Sequence, residues 1–141
     1  MPAVVPAFAA AVAPAVRAAV ADRLRPTVAQ LVRDVVSDEL EGERHVPAAT
    51  DVLLRRIGGM APHLCVGMVG LTLLFDASCR PMGGPFHRLP ADARGRALDR
   101  WRTLPGPLAS WAVFYEKMGV FAWWAVCEEA EHAGTGQAEA P

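Results

Sequence analysis

The side chains of this sequence best suited to chemistry are four histidines, three cysteines and fifteen carboxylates, and their spacing assembles no familiar site. His45, His63, His87 and His132 form no HxxxH or HExxH pattern, the arrangement that puts two imidazoles on one helix face to hold a metal. Glu128 and His132 stand four apart and would share a helix face, which is half of a metal site and reads as a solvated pair. Cys65, Cys79 and Cys127 are odd in number and lack CxxC or CxxxC spacing, so neither a disulfide framework nor a zinc cluster is expected. Cys65 sits in an apolar run and reads as a small buried hydrophobe. Met82-Gly83-Gly84-Pro85 is too short and proline-bound to cradle a phosphate, and no GxSxG, GxGxxG or Walker loop is present. No nucleophile, base and oxyanion donor converge, so no catalytic, cofactor-binding or metal residue is assigned.

The last aromatic-rich stretch carries the unusual chemistry instead. Trp111, Tyr115, Met118, Ala122 and Ala125 form one stripe at helical spacing, and Phe114, Phe121 and Trp124 form a second, with Trp123 beside them. One stripe is core. Burying both in so small a bundle is difficult, and Trp and Tyr are the residues that anchor protein interfaces. The second stripe is therefore expected to face a partner.

Composition narrows the class further. The chain has 141 residues, one domain's worth, with 52% apolar and 21% charged residues and a formal net charge of -1. Global disorder is excluded, since it needs low hydrophobicity and high net charge. A nucleic-acid footprint is excluded too, because Arg is balanced by Asp and Glu along the same helices. A mean hydropathy of +0.21 is high for a small soluble monomer and points to a partner surface.

The elements that must position these residues all read as helices, in a compact all-α bundle of about five to six. A first helix spans 7–24 and stops at Pro26, which opens a second with Val28, Leu31, Val32, Val35 and Val36 on one apolar stripe. Residues 41–46 read as a polar connection. A third helix, 48–58, turns Leu53, Ile57 and Met60 inward and Arg55 and Arg56 outward, and ends at Gly58-Gly59. A fourth, 62–77, is apolar on every side and is expected at the centre of the bundle, covered all round. Its continuous apolar run, Leu64–Phe75, is shorter than a bilayer requires, so no membrane span is expected. A fifth helix opens at Pro90 with Ala97, Leu98 and Trp101 inward, and a sixth covers 107–129. Residues 1–46 read as an N-terminal helical pair, 47–132 as the helical core, together one domain of 1–132, and 133–141 as a flexible tail. Met1–Val16 lacks the positive charge that precedes the apolar core of a secretory signal, and no twin-arginine pair follows, so a cytoplasmic location is expected.

The run Gly83-Gly84-Pro85-Phe86-His87-Arg88-Leu89-Pro90-Ala91-Asp92-Ala93-Arg94, followed by Leu98-Asp99-Arg100-Trp101, resembles a pattern in the small subunit of flavin-dependent gluconate dehydrogenases. It is also similar to the helical N-terminal region of long-chain alcohol oxidases of the glucose-methanol-choline class. The likeness covers the C-terminal half; it departs in lacking the export signal of the former and the serine after Trp101 of the latter. It implies a non-catalytic, chaperone-like accessory subunit with no cofactor of its own, docked on a large FAD-dependent oxidoreductase. It further implies that Leu89, Pro90, Leu98 and Trp101 are structural, with Trp111 and Tyr115 on the core stripe. Phe86, Arg94, Phe114, Phe121, Trp123 and Trp124 are then the expected partner interface. The alternative is a small helical enzyme or hydrophobic-ligand binder whose pocket wall is Trp111, Tyr115, Trp123 and Trp124, with Glu116 or His63 as acid or base.

Overall fold

Val28, Leu31, Val32 and Val36 are all buried, so the spacing of three and four along the first part of the chain marks a packed face as expected. The computed structural model describes the backbone of residues 4–36 and 42–139, and side chains within 19–36 and 44–134. Among these residues it contains five α-helices and no strand: α1 (Val4–Val35), α2 (Gly42–Gly58), α3 (Pro62–Cys79), α4 (Ala91–Thr103) and α5 (Pro107–Glu139). Two single 3₁₀ turns, Arg80–Met82 and Phe86–Arg88, join α3 to α4.

Three boundaries differ from the expectation, the first two for a packing reason. α1 runs through Pro26 rather than breaking there. Pro26 faces water, while Leu24 before it and Thr27 and Val28 after it are buried on one stripe, so burial on both sides outweighs the lost N–H. α2 begins at Gly42, so 42–46 is helix rather than connection, and Val46 is buried on the face that carries Ala49 and Leu53. Glu41, placed at the start of the connection, lies outside the described residues. α5 continues to Glu139, so 133–139 is helical rather than a frayed tail.

The core is one cluster drawn from α1, α2, the C-terminal half of α3, the second 3₁₀ turn, one face of α4 and one face of α5. Its aromatic centre is tight: the Phe75 ring lies 4.5 Å from Trp111, 4.9 Å from Phe86 and 5.1 Å from Trp101, and Trp101 lies 5.0 Å from Trp111. These are edge-to-face and tilted packings that aromatic quadrupoles favour.

The fourth helix of the sequence reading, now α3, is not central. Only Thr72, Phe75 and Cys79 are buried on it, whereas Val66 is 72%, Leu74 54% and Leu64 53% exposed. The aromatic centre takes one edge of its C-terminal half and leaves the other side in water. By length and composition α3 with its following turn, Pro62–Met82, is long and apolar enough to cross a membrane.

Candidate partner-binding surface

The glycine-rich turn and the start of α4 carry the Gly83–Trp101 sequence pattern. Gly83 and Gly84 hold φ of 133° and 146°, a region that side chains with a Cβ rarely enter, and this folds the chain back on α3. Phe86 then drops into the core beside Phe75, and its backbone N–H donates to Asp76 Oδ1 at 3.0 Å. Thr27 donates its hydroxyl to the same oxygen at 3.2 Å, so Asp76 ties α1, α3 and the turn together. Pro90 caps α4, its carbonyl accepting the Arg94 N–H at 3.0 Å.

Three residues expected at a partner interface are instead used inside the chain. Phe86 is completely buried. Arg94 is bonded to Asp34 at 2.8 and 3.0 Å and donates to the Leu89 carbonyl at 2.6 Å, so its guanidinium is committed to this domain. Trp123 is buried, with the His45 ring 6.4 Å away edge-on. In each case the pull is local: an aromatic ring fills the core, or a half-buried cation meets a carboxylate that spacing could not reveal. Leu89, Leu98 and Trp101 pack in or against the core.

Along α5 the two stripes separate. Trp111, Tyr115 and Ala122 are buried, with Met118 packed against them and Ala125 exposed. A single hydroxyl serves this side: Thr72 Oγ1 donates to the Met68 carbonyl at 2.7 Å, accepts the Trp111 indole N–H at 3.0 Å and meets Tyr115 Oη at 2.9 Å. Because the carbonyl can only accept, the threonine proton is spent there and Tyr115 donates. Burial pushes the Tyr115 phenol up to about 12.

The other stripe faces water. Phe121 is 67% and Trp124 55% exposed, Val113 and Val120 flank them, and Phe114 is half-buried with its ring edge-on to Tyr115 at 5.4 Å. Beside Phe121 lies a shallow recess of about 40 Å³ between α2 and α5, floored by Leu53 and Ala122 and rimmed by Arg56. It has room for a water or two and no organic ligand. Lys117 is the one charge within the exposed strip from Val113 to Trp124, for Glu116 pairs with Arg102.

The remaining titratable groups offer little chemistry. Burial raises the Cys79 thiol, with Asp76 adding to the effect, which keeps it protonated and inert. His132 Nδ1 donates to the Glu128 carbonyl at 2.8 Å, the ordinary pairing of a solvated helix. Among the described residues no three His, Cys, Asp or Glu side chains gather where a metal could bind.

No family model, no curated protein and no solved structure matches this chain.

Proposed function

We infer that this protein is a non-catalytic helical subunit that docks on a larger protein through the outward face of α5. The observation that carries the reading is the exposed aromatic pair Phe121 and Trp124 on a helix whose opposite face is already used by the core. Large exposed rings grouped on one rigid element are the usual anchors of an interface, and the small recess beside Phe121 offers a groove for a partner side chain. The arrangement also disfavours the pocket alternative. Trp111, Tyr115 and Trp123 fill the core, and Glu116 is engaged by Arg102.

The resemblance of the Gly83–Trp101 segment supplies the class of partner: a large FAD-dependent oxidoreductase of the glucose-methanol-choline type, which this subunit would fold or stabilise. The flavin belongs to the partner. The test is affinity purification of the tagged chain from its host with an absorbance spectrum of what co-elutes. A yellow, stoichiometric complex is the expected result. A soluble monomer that retains no flavoprotein overturns the partner class.

A further inference from the structure

The outward side of α3 is not used by the α5 reading, and it has a character of its own. His63, Val66, Gly67, Gly70, Leu73, Leu74 and Ala77 recur at helical spacing along it, with no carboxylate, lysine or arginine among them. A Cβ built on Gly67 or Gly70 would meet nothing within 4 Å, so among the described residues nothing packs on the helix at these two positions. At its C-terminal end the stripe runs into an open cleft of about 500 Å³ where Leu73 and Ala77 face Arg23 and Arg80. Both arginines are exposed, and neither is ion-paired among the described residues. The acidic group in the cleft is Asp76, and its Oδ1 is already taken by Thr27 and the Phe86 N–H.

We propose that this side of α3 is a lipid-contact surface, which lies along the interface of a bilayer carrying anionic headgroups with Arg23 and Arg80 on the phosphates. The charge arrangement decides the occupant. The apolar, charge-free stripe would enter the acyl boundary, and the two arginines at its C-terminal end, one on α1 and one just after α3, would stay among the headgroups. The helix does not span. Thr72, Phe75 and Cys79 hold its other side in the core, and leaving it would expose Phe75 and strand the Trp111 and Tyr115 donors.

The full chain is tested by co-sedimentation with vesicles of phosphatidylcholine alone and of phosphatidylcholine with phosphatidylglycerol, at low and high salt. The expected result is binding to the anionic vesicles, weakened by salt. Leu74→Asp should reduce it more than about ten-fold with helicity unchanged, and the milder Val66→Ser should reduce it less. Arg23→Gln and Arg80→Gln should each cost roughly five-fold on anionic vesicles and nothing on neutral ones. No binding by the wild-type chain overturns the proposal, as does binding that survives Leu74→Asp. A dimer that Leu74→Asp dissociates, without vesicle binding, also overturns it and makes the surface a contact between copies. The α5 reading is untouched by any of these outcomes, because its test reads the co-eluting flavoprotein.

Discussion

Arg94 grips Asp34 across sixty positions of sequence, its Nε 2.8 Å from one carboxylate oxygen and its Nη2 3.0 Å from the other. This fork-to-fork pair fastens the first turn of α4 to the last turn of α1, and the third bond from Arg94 to the Leu89 carbonyl holds the intervening turn. The pair is mostly shielded from water, with side-chain exposures of 18% and 23%, so removing the cation leaves a poorly solvated carboxylate behind. Arg94→Met should destabilise the domain by about 2–4 kcal/mol, seen as a lower urea midpoint. Arg94→Lys should recover only part of this, since a point charge cannot make the bidentate contact. Full recovery by lysine would mean that the planar geometry is irrelevant.

Thr72 gives a second test. Its oxygen is the shared acceptor for two buried donors, so Thr72→Val keeps the shape and strands both. A cost of about 2–5 kcal/mol is expected, against about 1 kcal/mol for Tyr115→Phe, which removes one donor cleanly. Equal losses in the two variants would show that the hydroxyl is not the hub.

Tyr115 is the single tyrosine in the chain, so its titration can be read without overlap. Its phenol is raised from 10.0 to about 12 by burial, which means that the folded state favours the neutral form. The stabilisation is whole below pH 10 and disappears as pH climbs through about 12, about 2–3 kcal/mol over that window. Wild-type stability should fall there while Tyr115→Phe stays flatter; the raised thiol of buried Cys79 adds a slope in the same direction to both proteins. Tyrosinate absorbance appearing at an ordinary alkaline pH with the helices intact would place Tyr115 outside the core.

A matched pair of substitutions separates fold from docking. Trp101→Ala removes a ring wedged between Phe75 and Trp111 and should cost about 3–5 kcal/mol, lowering the melting temperature of the free chain. Phe121→Glu sits on the exposed stripe and should leave circular dichroism unchanged while abolishing capture of the proposed flavoprotein partner, because the carboxylate would have to be buried unpaired. Loss of helicity in Phe121→Glu would return the stripe to the core.

Periodicity in the sequence was enough to determine the helical class, the buried faces of Val28–Val36 and Ala97–Trp101, and the division of α5 between Trp111/Tyr115 and Phe121/Trp124. On α1 and α4 the apolar face alternates with polar or charged positions, and that contrast carries a phase; on α5 the phase lies in two aromatic stripes at helical spacing. α3 carries none: a helix apolar all round reveals its inner side only through what it meets, here the aromatic centre at Phe75 and the Trp111 and Tyr115 donors at Thr72. The same holds for Pro26, whose effect depended on buried neighbours either side of it. The inward fate of Phe86, Arg94 and Trp123 was equally hidden, since a ring fills whatever space the other helices leave. The tertiary structure alone decided that Arg94 answers Asp34, because a cation's partner is set by where helices cross and not by the residues beside it.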